Sequence, residues 1–329
     1  MHRLNIVIVT PALADANNGN WQTAQRWARM LSPTYRVRIA AYWSEGDEAV
    51  LIALHARRSA PALAAWRASH PDRPSLLVLT GTDLYRDLAS DRDAQASLQG
   101  AVRVVVLNEL GAANLPVDMR AKTRVVLQSC TSRQTLTKPT GSLRTLMVGH
   151  LREEKSPQTY FEAARLLAAR HDILLDHVGG GLDATLAAEA QTLMHSHPHY
   201  RWLGSLPHPA TRARIQAAHV LVHASRMEGG AHVVTEAITS GTPVLASRID
   251  GNLGLLGADY SGTFAWGDAE GLAALLQRCR DDAAMLPALQ VQCAARAPLF
   301  LPNRERQTLL SLLADLQHKP HTGDALERP

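Results

Sequence analysis

Short, uninterrupted apolar runs that alternate with helix-patterned stretches constrain the fold of this chain more than any other feature. The runs at residues 5–10, 76–80, 103–107 and 124–127, with a further short one just before His55, lack the in-and-out alternation of a half-exposed strand, and another strand is read at residues 36–41. A strand that is apolar on both faces must be covered on both faces, as in a parallel sheet flanked by helices. Between the first two strands, Trp21, Ala24, Trp27, Ala28 and Leu31 recur at helical spacing and predict a helix over residues 21–31 with one buried face. The polar stretch TSRQTLTKPTGS at residues 131–142 has neither periodicity, contains Pro139 and Gly141, and reads as a linker. After it the alternation restarts, with strands predicted at residues 143–148, 173–178, 201–203, 220–223 and 243–247 and helices at 157–169 and 185–195. Two such series in one chain predict an α/β protein of two doubly wound domains. The expected division is 1–138 for the first domain, 139–302 for the second, 303–317 for a terminal helix that packs back, and 318–329 for a disordered polar tail.

Bulk properties remove several function classes. At 329 residues the chain is long enough for two cores. Its 34 basic and 30 acidic residues are scattered without a block of like charge, so neither a nucleic-acid groove nor a membrane-binding patch is expected. The first apolar run is too short to span a bilayer and is followed by no convincing cleavage pattern. Cys130, Cys279 and Cys293 form no close pair, which argues against a disulfide framework or a zinc cluster and fits a cytoplasmic protein. No metal and no cofactor are expected.

The segment SRMEGGAHVVTEAITSG at residues 225–241 carries the strongest chemical signal. A strand ends near His223, and Glu228-Gly229-Gly230 makes a turn where backbone can approach a ligand closely. A helix is expected from Ala231 or His232 to Ser240, with Gly241 as its cap and Pro243 beyond. Free amides and positive potential at such a start suit a diphosphate. Glu228 and Glu236, with seven residues between them, resemble the paired glutamates of the retaining GT-B glycosyltransferases, family 4 above all, and the run Glu236-Ala237 through Gly241-Thr242-Pro243-Val244 resembles that family's "EA-x-x-x-GTPV". The resemblance implies a GT-B architecture: two Rossmann-like domains facing across a cleft, with a C-terminal helix packing back. It implies that Glu236 binds ribose and Glu228 contacts the donor sugar. The amides of Gly229, Gly230, Ala231, His232 and Val233 would then face sugar and phosphate.

Further donor-side residues follow from the same resemblance. Gly149-His150-Leu151-Arg152-Glu153-Glu154-Lys155 is similar to the family's "GRL-x-x-x-KG" loop. Lys155 stands at the family's lysine position and His150 at its arginine position, which leaves Arg152 as the second cation for the departing diphosphate. Gly179 and Gly180 resemble the "VGxG" strand end, and Leu203, Gly204 and Ser205 the segment whose backbone reads the nucleobase.

The first domain is expected to supply the acceptor side. Asn18, Gly19 and Asn20 precede the first helix, Thr23 lies in its first turn, and Thr80-Gly81-Thr82-Asp83 follows a buried strand with Arg86 one turn on. Related transferases begin such a run with histidine; here Thr80 replaces it, so a general base at that point is not expected. Together with Gly19 through Arg29, Ala53 through Ala60 and Thr80 through Leu88, the whole chain resembles the selenosugar-synthase branch of the family, which serves selenoneine biosynthesis. That resemblance implies transfer from a UDP-sugar (UDP-N-acetylglucosamine or UDP-glucose) to selenophosphate, giving a 1-selenosugar, UDP and phosphate. An anionic selenium nucleophile needs little help from a base, and Asn18, Gly19, Asn20, Thr82 and Arg86 would offer N–H groups and charge to it. Asp83 is the candidate for assisting selenium–phosphorus cleavage, and His55, Arg57 and Arg58 would add positive potential. The competing readings are transfer to a hydroxyl acceptor and a non-catalytic sugar-nucleotide-binding protein. A nicotinamide-dependent dehydrogenase is disfavoured because the loop after the first strand reads TPALADANNGN, without G-x-G-x-x-G.

Overall fold

A computed structural model of the chain describes residues 3–11 and 19–318; Asn18 and the expected tail from residue 319 lie outside the described residues. The strands are β1 (Asn5–Val9), β2 (Arg36–Ala40), β3 (Val50–Leu54), β4 (Ser75–Leu79), β5 (Arg103–Val106), β6 (Thr123–Val125), β7 (Leu143–Val148), β8 (Ile173–Val178), β9 (Tyr200–Trp202), β10 (Val220–His223), β11 (Val244–Ser247) and β12 (Thr263–Phe264). They form two six-stranded sheets of order β2-β1-β3-β4-β5-β6 and β12-β11-β10-β7-β8-β9. Every pairing is parallel, with β7 and β8 in register from Leu143 opposite Ile173 to Val148 opposite Val178. The chain is α/β throughout, in two doubly wound halves.

The continuous apolar runs are explained by what covers them. In the first unit Ile6, Ile8, Ile52 and Leu54 pack on one side with Trp27 and Leu31 of the helix Gly19–Leu31, while Val7, Val9, Leu51 and Ala53 pack on the other with Trp66 and Leu98. Successive residues of a strand point to opposite faces, so a run buried on both must be apolar at every position. That is why β3 reads VLIAL and is wholly buried. The helix Gly19–Leu31 buries Ala24, Trp27 and Leu31 as its spacing predicts, together with Thr23; Trp21 and Ala28 are half-buried.

The chain divides into two compact units. The first comprises the residues up to Leu127 and those from Asn303 onward, and the second runs from Gln128 to Pro302. The division therefore comes earlier than residue 138, and the polar stretch after Leu127 belongs to the second unit. Its groups bond there: the Arg133 amide to the Thr239 carbonyl at 2.8 Å, the Cys130 amide to the Phe300 carbonyl at 3.0 Å, and His219 Nε2 with the Pro139 carbonyl at 2.8 Å. Backbone polar groups with such partners need no solvent, so a segment of linker-like composition is held in place.

The final helix, Pro302–His318, buries Leu309, Leu312, Leu313 and Leu316 in the first unit's core. Near its start Glu305 accepts from Trp27 Nε1 at 2.7 Å and pairs with Arg26 Nε at 3.3 Å, with the Glu305 side chain fully buried. Removing a buried partner of this kind strands the other groups, at a cost of about 3 kcal/mol. Glu305→Ala is expected to lower the stability of the first unit by that order, read as an earlier urea midpoint of the Trp27 fluorescence change.

Candidate functional site

In the second sheet, β7 and β10 are neighbours although two strand–helix units separate them in sequence, so the order of connection reverses between them. Loops at the carboxyl ends of two such strands diverge and leave a crevice. One loop here is Gly149–Lys155, closing in a 3-10 turn at Glu153–Lys155; the other is Ser225–Ala231, leading into the helix His232–Ile238. The helix ends two residues earlier than its spacing predicts. Ser240 and Gly241 form the stop, with Gly241 at φ +70° and the Thr242 amide returned to the Ala237 carbonyl at 3.0 Å.

The two loops meet in an ion pair. Lys155 Nζ donates to Glu228 Oε1, and His223 Nε2, at the end of β10, lies 3.3 Å from the same oxygen. All three side chains are at most 16% exposed. Burial alone would raise the Glu228 carboxyl, but the Lys155 charge and the contact with His223 outweigh it and hold it well below the usual carboxylate range. Gly251 makes room for this loop, since a Cβ there would stand 2.0 Å from the Glu228 carbonyl oxygen.

Glu236 is the centre of a second cluster. Its Oε1 accepts from His208 Nε2 at 2.6 Å and lies 3.3 Å from His232 Nδ1 and 3.9 Å from Arg212 Nη1. Burial again works against the charged form, yet the histidine contacts bring its carboxyl down to about 2. The same contact raises His208. Arg212 also donates to Cys130 Sγ, and Cys130, His232 and Glu236 offer ligand atoms all within 4.8 Å of one another. His232 and Glu236 share one helix face at i and i+4, which their spacing shows. His208, Arg212 and Cys130 come from elsewhere in the chain, and no local pattern announces them.

Glycines bring the remaining donor-side residues together. The Gly179 amide donates to the Gly204 carbonyl at 2.9 Å, and a Cβ on Gly179 would stand 1.8 Å from the Gly149 carbonyl oxygen. A Cβ on Gly180 would meet Ser205 Oγ at 2.7 Å. His150 Nδ1 accepts from the Gly180 amide at 2.9 Å, and burial with the nearby Arg152 and Lys155 charges depresses its basicity, so it stays a neutral acceptor. His177, expected only as part of a strand, supports this group from below: buried, lowered to about 4 by that burial, it contacts the Gly149 carbonyl at 3.1 Å. The Leu203 amide bonds the His177 carbonyl at 2.8 Å. Arg152 is half-exposed and pairs with Glu154 at 4.0 Å, apart from the Lys155–Glu228 pair.

Residues 129–296 match the family of glycosyl transferases group 1. The chain belongs to that family. This group 1 glycosyltransferase also resembles solved structures along nearly its whole length. Sucrose-phosphate synthase of Thermosynechococcus elongatus is similar over 96% of this chain and 99% of its own, with 16% identity and a TM-score of 0.76. Anabaena HepE, solved in complex with UDP-glucose, is similar over 95% and 100%, with 14% identity and a TM-score of 0.75. A glycosyltransferase from Rickettsia africae covers 97% and 100%, with 14% identity and a TM-score of 0.74. These likenesses identify the fold as GT-B. A search of curated proteins returned no match. No helix among the described residues is long and apolar enough to cross a membrane.

The first unit of the glycosyltransferase shows what surrounds two of the expected acceptor-side residues. Asp83 is fully buried, and its carboxylate accepts from the amides of Thr80 at 2.8 Å, Gly81 at 3.0 Å and Ala56 at 2.9 Å, with Thr80 Oγ1 at 3.3 Å. A carboxylate so occupied clamps the turn: Oδ1 takes the Thr80 and Gly81 amides and Oδ2 the Ala56 amide. Thr23, expected at the reaction centre, is buried, and its hydroxyl donates to the Gly19 carbonyl at 2.8 Å within the helix that Gly19 and Asn20 begin. Asn18 is outside the described residues.

Residues that sequence reasoning left at the margin stand beside this turn. His55, buried at φ +75°, contacts Thr82 Oγ1 at 3.2 Å. Burial lowers its basicity. Asp87 pairs with Arg57 Nε at 3.2 Å and Arg86 Nε at 3.0 Å. Asp87 was missed because one buried aspartate among many acidic residues carries no spacing signal.

Two outcomes follow for the donor side. A carboxylate held below its usual 4.5 stabilises the fold above that pH, and the contribution disappears as pH falls through the lowered value. Urea midpoints at pH 6 and pH 3 are therefore expected to differ more for the wild type than for Glu228→Gln, by about 1–2 kcal/mol. Gly179→Ala, which drives a methyl into backbone, is expected to cost about 3 kcal/mol in thermal unfolding. Gly149→Ala, whose Cβ would meet Lys155 Cγ at an ordinary 3.4 Å, should unfold close to the wild type.

Proposed function

We propose that this glycosyltransferase takes its sugar from a UDP-sugar, UDP-N-acetylglucosamine or UDP-glucose, and passes it to selenophosphate. The observation that carries the donor half is the buried Lys155–Glu228 pair at the reversal point of the second sheet. A carboxylate and an ammonium held together at a crevice suit a sugar with a diphosphate leaving group. In this reading Glu236 receives the ribose hydroxyls, Glu228 contacts the sugar, and Lys155 and Arg152 take up charge on the departing UDP. Gly149, His150, Gly179, Gly180, Leu203, Gly204 and Ser205 line the nucleotide, and the backbone of Gly229, Gly230, Ala231, His232 and Val233 faces sugar and diphosphate. The UDP-glucose complex of Anabaena HepE supports a uridine donor for a chain of this fold.

The acceptor half rests on the Thr80–Asp83 turn and its charged neighbours. Its carboxylate is spent on backbone amides, and Thr80 replaces the expected histidine, so the turn offers no general base to an alcohol. Arg57 and Arg86, both about half-exposed, offer positive charge to an anion. Asn18, Gly19, Asn20, Gly81 and Thr82 complete the acceptor side. An anionic selenium nucleophile fits a loop of that character. Selenium attacks the anomeric carbon, the bond to the diphosphate oxygen breaks, and UDP leaves. Water then cleaves the selenium–phosphorus bond, giving the 1-selenosugar and phosphate.

Incubation with each UDP-sugar and selenophosphate should release UDP and a selenium-containing sugar detectable by mass spectrometry. UDP release only with hydroxyl acceptors would reject the selenium assignment. Lys155→Ala is expected to lower kcat by about 10²–10³-fold. Glu236→Ala should raise KM for the donor by about 10–100-fold, the loss of hydrogen bonds to a charged group.

A further inference from the structure

The Glu236 cluster contains more than a ribose site requires. The Nε2 of His232 lies 3.1 Å from the Ser129 carbonyl oxygen, a contact that can only be made by an N–H donor. The other ring nitrogen, Nδ1, is aimed at Glu236 Oε1 from 3.3 Å. A nitrogen and a carboxylate oxygen so placed share a positive centre, either a proton on the ring or a metal cation. A histidine whose far nitrogen is tied to a backbone carbonyl is the usual arrangement of a metal ligand, because the tie fixes the tautomer and the ring orientation.

A sulfur beside them favours the cation. Cys130 Sγ, His232 Nδ1 and a Glu236 oxygen all fall within 4.8 Å of one another, and His208 Nε2 stands 2.6 Å from the same carboxylate oxygen. Zinc ligands at about 2.0–2.3 Å from a tetrahedral centre are separated from each other by roughly 3.3–3.7 Å. The His232–Glu236 edge already has this length, and the sulfur lies within 4.8 Å of both. Arg212 Nη1 donates to the sulfur and lies 3.9 Å from Glu236 Oε1. A guanidinium there favours the thiolate, the form that binds metal. With thiolate and carboxylate ionised beside one buried guanidinium, the cluster carries one net negative charge, which a cation would offset.

We propose that Cys130, His232 and Glu236 bind a thiophilic divalent cation of the zinc type, with water in the fourth position. The Arg212 guanidinium remains as a hydrogen-bond donor to the bound sulfur. Because Glu236 is also the carboxylate assigned above to the ribose, and to that extent resting on that assignment, the cation excludes the nucleotide sugar and acts as an inhibitor. Sulfur and imidazole together select zinc over magnesium or calcium.

The test uses the full-length reduced protein titrated with Co²⁺ and, separately, with Zn²⁺. Co²⁺ is expected to give a sulfur-to-cobalt charge-transfer band in the near ultraviolet at one equivalent. Cys130→Ser should abolish the band while keeping the wild-type circular dichroism, and His232→Gln should weaken zinc binding by at least about 10-fold. Absence of the band in the wild type, or its survival in Cys130→Ser, would overturn the site. Zinc should also weaken UDP binding in the wild type and leave it unchanged in Cys130→Ser. Zinc that binds through Cys130 without affecting UDP would remove the ribose from Glu236 and leave the cation site standing.

Discussion

The donor half of the molecule depends on keeping a carboxylate ionised where little water reaches it. Glu228 is 12% exposed, and an isolated charge so placed would take up a proton. Lys155 and His223 prevent this, and they come from different strand–loop units, at the ends of β7 and β10. The pair therefore joins two loops as well as balancing charge. Gly251 and Gly179 serve the same end, since each admits a backbone segment to a distance that any side chain would forbid. Charge balance and close backbone approach are two parts of one solution: loops must converge tightly for the ions to meet, and the ions hold the loops converged.

The acceptor half uses its charges differently. Asp83 and Asp87 are both buried, yet one is consumed by amide donors and the other by two guanidinium groups. The first makes a rigid turn. The second keeps Arg57 and Arg86 together despite their mutual repulsion. About half of each arginine side chain remains accessible. The backbone strain at His55, in a left-handed conformation that a residue with a Cβ adopts at a cost, belongs to the same turn region.

Much of this was legible in the sequence, for identifiable reasons. A strand buried on both faces is apolar at nearly every position, so β1, β3 and β4 appear as the runs NIVIV, VLIAL and SLLVL. The Glu228–Glu236 spacing and the glycine-rich turn are local and survive in one dimension. Thr123–Val125 and Tyr200–Trp202 begin one residue earlier than predicted, a difference of terminal residues alone. What escaped notice was long-range. His208 and Arg212 reach Glu236 only after a strand and a loop have folded between them, and Cys130 joins from a polar stretch that looked like a linker. The amides that converge on Asp83 were not legible either, because a turn-clamping aspartate is written with the same letter as any other.

The position of the final helix has a consequence for how the chain comes to be folded. The second unit is one continuous stretch, whereas the first draws Leu309, Leu312, Leu313 and Leu316 from the far end of the chain. During synthesis the residues up to Leu127 emerge first but cannot close their core, and the sheet built on β7 is complete in sequence before them. The first unit spends the whole translation of the second with Trp27 and its neighbours uncovered on one side. The order in which the two cores close is thus the reverse of the order in which they are made, and the amino-terminal half is the one most exposed to aggregation and to chaperones while the ribosome is still at work.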